Sequence, residues 1–163
     1  MEVGVYRHHG LAESVLSPNV NLNINEPTTR KGSLDSASKL PGYIRGLPQR
    51  LPSEDVEYLT AKGALTIPTV ELRNELLKSY IQYVHAYMPL LDLEEFLHII
   101  ARHDGTHRTS LLLFQAVMFA GTAFVDIKHL RAAGYSSRKA ARKAFFHRAR
   151  VCDRFPTMEN RFL

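Results

Sequence analysis

VELRNELLKSYIQYVHAYM, residues 70–88, is the longest regular pattern in the chain. At about 100° per residue, Leu72, Leu76, Leu77, Tyr80, Ile81, Tyr83, Val84, Tyr87 and Met88 fall in one half of a helical wheel. Glu71, Asn74, Glu75, Lys78, Gln82 and His85 fall in the other half. A helix with one apolar side must dock that side on neighbouring elements. Pro89, whose ring removes a backbone donor, ends it.

The flanking segments supply helical neighbours. Downstream, Asp92 followed by Glu95 is a capping signature for a helix running through Phe96, Leu97 and Ile100. The stretch His103 to His107, with Gly105 inside it, breaks that helix. SLLLFQAVMFAGTAFV, residues 110–125, is apolar but shorter than the roughly 20 residues that a bilayer core demands, so it reads as a buried core helix. A short helix ending at Gly134 precedes Ser136 and Ser137, which can cap a final helix. Upstream, Ser53 is placed as an N-cap before Glu54, Asp55 and Glu57, with Gly63 as the stop. LPGYIRGLPQRLP, residues 40–52, carries Pro41, Pro48 and Pro52 and reads as an extended strap whose Leu47 and Leu51 can pack on a neighbour. Residues 1–40 lack any sustained period and are expected to be disordered. The expected class is all-α. A disordered segment (1–40) precedes a strap and short helix (41–68), the main helical region (69–154) and a tail (155–163).

Composition narrows the function. The 163 residues, 45% apolar and 23% charged, suit one globular core. A single cysteine, Cys152, forbids an intramolecular disulfide and a cysteine-based zinc site, which favours a reducing, intracellular setting. The opening residues contain no secretory pattern. The net charge of +5 is unevenly placed. Residues 53–126 hold five basic and ten acidic side chains, whereas residues 128–154 hold nine basic ones opposed by Asp153 alone.

Phosphate-cradling glycine loops, a GxSxG elbow and an HExxH string are missing from the sequence. His98, His103 and His107 are the nearest thing to a metal cluster, but Gly105 interrupts the helix that would align them. Glu94, Glu95, Asp104 and Asp126 show no acid/base spacing and read as capping or solvated residues. Cys152, although near cations, falls on an apolar arc and reads as core. No catalytic residue, metal ligand or cofactor is expected in this chain.

The final helix is the most informative polar feature. Arg138, Lys139, Arg142, Lys143, Arg150 and Arg154 share one side of its wheel; Ala140, Ala141, Ala144, Phe145, Val151, Cys152 and Phe155 share the other. Phe146 lies amid the basic arc and Arg148 amid the apolar one. The arginine is expected either to lay its stem along apolar neighbours or to pair with a carboxylate. The six arc cations are the candidate contacts for a polyanion, against the plainer reading of a solvated face that balances the acidic helices.

SYIQYVHAYMPLLDLEEFL, residues 79–97, resembles the opening of the fungal-specific transcription factor domain, the regulatory middle region of binuclear zinc-cluster regulators. Tyr83, His85, Tyr87, Pro89, Leu91, Asp92 and Phe96 stand at the positions of that family's motif; Tyr83, His85, Pro89, Asp92 and Phe96 are its structural markers here. SLLLFQAVMFAGTAFV is similar to the family's buried second helix, RKAARKAFFHRARV to its helix bearing an aromatic pair, and LPQRLPSEDVEYLTAKGALTIP to the lead-in of the cutinase transcription factor type. The likeness covers residues 47 to about 150.

The resemblance implies a non-catalytic regulatory segment acting in the nucleus, with zinc expected only in an N-terminal cluster that this chain lacks. Its expected partners are proteins of the transcription machinery or the rest of the regulatory domain, with no membrane and at most weak nucleic-acid binding. CDRFPTMENRFL departs from the family pattern and suggests a truncated, incomplete domain. The apolar arcs around Leu76 and Val117 are then expected to be partly uncovered and open to self-association. The rival reading is an independent helical module whose basic helix binds nucleic acid or an anionic surface.

Overall fold

Leu76 and Val117 themselves sit in the middle of the folded core, at 0% and 3% exposure, and the uncovered apolar surface of their segments falls on Tyr83, Tyr87, Met88, Leu113 and Phe124. The structure, a computed structural model, describes residues 40–102 and 106–155. Among these residues six α-helices follow one another: α1 (Ser53–Ala61), α2 (Val70–Tyr80, continued by a π turn at Ile81–His85), α3 (Leu93–Arg102), α4 (Leu111–Gly121), α5 (Ile127–Ala132) and α6 (Arg138–Asp153). Among the described residues there is no strand, only an isolated parallel bridge between Ile44 and Thr109. The fold is all-α, as the periodicity demands. Residues 1–39, expected to be disordered, and most of the 155–163 tail lie outside the described residues.

Helix α4 is the axis of the packing, with α2 on one side and α6 on the other. Its Leu111, Phe114, Gln115, Val117, Met118 and Gly121 are buried, and they meet Leu72, Leu76, Leu77 and Tyr80 of α2 and Ala141, Phe145, Val151 and Cys152 of α6 in one core. Each leucine- or phenylalanine-sized side chain so covered contributes about 1.5–3 kcal/mol relative to exposure. The apolar character of α4 on every side follows from this sandwiched position.

The helix ends are closed largely by short polar side chains. Thr69, Ser110, Asp126 and Ser137 each accept an amide of the first turn of their helix, and Asp92 Oδ1 accepts the Glu95 amide at 3.0 Å, as the sequence signals for Asp92 and Ser137 suggest. Ser53 does not cap α1. It is the first helical residue, and Pro52 holds the cap position without a side-chain bond. The Pro52 carbonyl receives the Asp55 and Val56 amides at 3.1 and 3.2 Å, so backbone bonds to a proline with its fixed φ, and not a serine hydroxyl, open the helix. Gly63 stops α1 with φ +67°. Its amide donates to Thr60 O, and the Ala64 amide to Leu59 O, both at 2.9 Å, a pairing that requires the left-handed conformation glycine adopts at least cost.

Two further differences have local causes. The π turn at Ile81–His85 shifts the register by about one residue, roughly 100°; Ile81 and Val84 still pack on the core, whereas Tyr83 is 43% exposed. Tyr87 and Met88 follow the end of the helix and are 83% and 55% exposed, not docked. The apolar run of residues 110–125 leaves the helix at Gly121 and closes in a turn through Phe124.

Residues 40–52 form a non-helical strap that is not extended throughout, since turns at residues 42–43 and 49–50 close with Ile44 N–Pro41 O and Leu51 N–Pro48 O bonds, and it is part of the core. The Arg45 amide donates to Thr109 O at 2.8 Å and the Thr109 amide to Tyr43 O at 2.9 Å. Tyr43 and Ile44 are buried, with the Tyr43 ring 5.7 Å from Phe114. Leu47 and Leu51 pack against the same core.

Candidate functional site

Among the described residues the carboxylates are spent on structure or left in solvent. Asp92 and Asp126 cap helices, and the Lys128 amide, followed by the Lys128 and His129 charges, holds the Asp126 carboxyl below its ordinary range. Asp92, Glu94, Glu95, His98, Ile99, Arg102 and His107 line an open cleft of about 350 Å³ on α3. His103 and Asp104 lie outside the described residues. Among those described, no group of three or more histidine, cysteine, aspartate or glutamate side chains is placed to hold a metal ion.

Cys152 is core, as its position on the wheel indicates. It is 1% exposed, with Sγ 4.0 Å from the Ala64 carbonyl. Burial disfavours the thiolate and pushes the thiol from its ordinary 9.0 to about 11. A raised folded pKa makes the neutral thiol's contribution to stability complete below about pH 9, and the contribution disappears as pH climbs to about 11. At pH 8 the native protein is therefore expected to resist a colorimetric thiol reagent that reacts fully in denaturant. Rapid stoichiometric labelling of the native chain would contradict this burial.

The family-motif positions divide between packing and surface. Phe96 is buried in the core and Asp92 caps α3. The Tyr83 ring stacks on Phe124 at 5.3 Å and 28°, leaving both rings partly in solvent, and the His85 ring lies 6.1 Å from Tyr80. Pro89 is exposed beside Leu90.

The six candidate cations of α6 are not equivalent. Lys139, Arg142, Lys143, Arg150 and Arg154 are exposed, whereas Arg138 is half-buried and donates from Nη1 to Thr122 O at 2.9 Å. That bond caps the open carbonyl end of α4, where a cation also meets the negative end of the helix dipole. Arg148 takes the first of its two expected courses. Its guanidinium lies 4.8 Å over the Phe145 ring and donates to Tyr135 Oη at 3.2 Å.

Sequence reading missed the aromatic component of this face. Phe146, which interrupts the basic arc, sits 5.5 Å from Phe119 of α4, and the Arg142 guanidinium lies 5.6 Å over the same Phe119 ring. The interruption itself was the only signal, since no single-helix wheel shows which residue of another helix lies alongside. The α4–α6 seam thus presents two phenyl rings edged by cations, an arrangement suited to docking and not to bond-making.

Comparison with known proteins places these features in context. The chain is similar to cutinase transcription factor 1 beta of Fusarium vanettenii, 56% identical over 118 residues that make up 72% of the chain. It is 44% identical over 112 residues, 69% of its length, to the transcription factor cpaR of Aspergillus oryzae. It is 38% identical over 133 residues, 82% of its length, to a transcription factor of Fusarium pseudograminearum. The matched segments span 13%, 19% and 14% of those proteins, so the chain corresponds to a small part of each. No family model matches the chain, and no solved structure does.

Proposed function

We infer, from the premise that this chain is homologous to one segment of fungal transcription factors, that it serves as a helical docking segment in the control of transcription. The single observation that carries this reading is 56% identity sustained over 118 residues with a cutinase transcription factor. The geometry supports it. Among the described residues the acids cap helices or face solvent, the cysteine is inert, and the exposed apolar side chains Tyr83, Tyr87, Met88 and Leu90 offer contact area. Such a segment catalyses no reaction, works in the nucleus, and contacts proteins of the transcription machinery or the remainder of a longer regulator. No helix among the described residues is long and apolar enough to cross a membrane.

A chimera tests this. The chain replaces the matching 118-residue segment of the Fusarium vanettenii factor, and transcription from a reporter under that factor's control is measured beside the intact protein. Retained regulated transcription supports the assignment. A chimera present at normal abundance but silent on the reporter would overturn it.

A further inference from the structure

We propose that the seam between α4 and α6 is a docking surface for an acidic polypeptide segment bearing an aromatic or leucine anchor. The proposal goes beyond the regulatory reading and does not require it, because it concerns what the surface itself can hold.

Along α6, Lys139, Arg142, Lys143, Phe146 and Arg150 are spaced so that they share one helical face. The core side of the helix is already filled by Ala141, Phe145, Val151 and Cys152. Phe146 therefore lies outside the core cluster and is 49% exposed. Its partner is Phe119, half-buried on α4, at 5.5 Å. Two phenyl rings at a helix–helix seam form a shallow apolar seat for a side chain of similar size. Aromatic and arginine side chains are the groups most enriched at the energetic centres of protein interfaces.

The surroundings select the sign of the occupant. The ion pairs among the described residues are Lys78 with Glu75, Lys128 with Asp126 and His129 with Glu75, all away from this face. No described carboxylate is within ion-pair distance of Lys139, Arg142, Lys143 or Arg150. Asp153, one turn past Arg150, lies on the same arc and leaves the stretch around Phe146 cationic. A segment alternating acidic and apolar residues would lay its apolar side chain on the exposed side of the Phe146–Phe119 pair and its carboxylates against the lysines and arginines.

Single-stranded nucleic acid fits less well. Bases stack on open ring faces, whereas the two rings here are tilted by 53° to each other and Arg142 already covers a face of Phe119. A second copy of this chain could supply acids from its first half, and that alternative has its own signature below.

The experiment uses the whole 163-residue chain and fluorescence anisotropy at about 0.15 M salt. Three labelled probes are compared: an acidic peptide of about 14 residues carrying two leucines four apart, the same peptide with serines for the leucines, and an oligothymidylate of similar length. The leucine peptide is expected to bind about tenfold more tightly than the serine peptide, and Phe146→Ser is expected to erase that difference. Lys139→Gln combined with Lys143→Gln should weaken both peptides together. All three substituted residues are exposed, so unchanged melting curves confirm that the fold is intact. Equal affinity for the two peptides, or no binding of either, overturns the proposal. Tighter binding of the oligothymidylate, lost in Phe146→Ser, overturns it in favour of nucleic acid. A dimer in sedimentation that Phe146→Ser dissociates, without peptide binding, overturns it in favour of self-association. None of these readouts depends on transcription, so the docking surface and the regulatory assignment fail separately.

Discussion

Replacing Gly121 by alanine lowers the melting temperature by about 10 °C or more, the expected result of forcing α2 and α4 apart. Alanine in a helix ordinarily gains about 1 kcal/mol over glycine, so the expected sign opposes propensity. A Cβ at Gly121 would overlap the Leu76 carbonyl oxygen and lie 3.0 Å from the carbonyl carbon and 3.2 Å from Cα of the same residue. These are backbone atoms of a packed helix and cannot swing aside as a side chain would. The same approach lets Ser79 Oγ donate to the Gly121 carbonyl at 2.9 Å, a buried bond that a wider separation would break. A net cost of about 3 kcal/mol follows from overpacking at such a contact. Thermal denaturation followed by circular dichroism checks it, and a melting temperature at or above the parent's would show that the helices do not meet at this glycine.

Phe114→Asp is expected to yield no soluble folded protein. Phe114 is fully buried and its ring lies against Tyr43, so an aspartate there would leave the strap without its seat and a carboxylate without a partner. Burial of an unpaired charge, added to loss of the ring, costs about 5 kcal/mol or more, comparable to the whole stability of many domains. Phe124→Asp is the matched control, since that ring is 53% exposed and stacks on Tyr83 at the surface. The control should stay soluble with a cooperative melt. A cooperative melt for Phe114→Asp as well would place α4 outside the core.

Particular residues show what the sequence could reveal. The one-sided pattern from Leu72 to Tyr80 identified α2 and its buried face because a single period spans several turns. Asp92 and Ser137 announced helix starts because capping is a local event, settled within four residues. The π turn at Ile81–His85 was not legible, since Ile-Gln-Tyr-Val-His differs in no compositional way from α-helix, and the end of the helix before Tyr87 was placed too late by the wheel. Arg138 was grouped with the basic arc because its wheel position is correct. Only the position of the Thr122 carbonyl, 16 residues earlier, makes it a helix cap. The Phe119–Phe146 pair likewise depends on two helices lying side by side, which no reading of either alone could supply.

The loop after α1 closes against residues that come much later in the chain. Gln115 Nε2 donates to the Ala64 and Thr66 carbonyls at 3.0 Å each, and the Ala64 carbonyl also meets Cys152 Sγ, 88 residues on. A ribosome making this chain therefore releases the strap, α1 and α2 well before their partners exist. While α4 is absent, Leu59, Ala64, Leu72 and Leu76, all buried in the finished fold, have nothing to cover them, and such surfaces attract chaperones or aggregate. Only when α6 has left the exit tunnel can the loop be fastened from both sides. The order of synthesis thus places the most vulnerable interval of this segment's life between the appearance of α2 and that of α6.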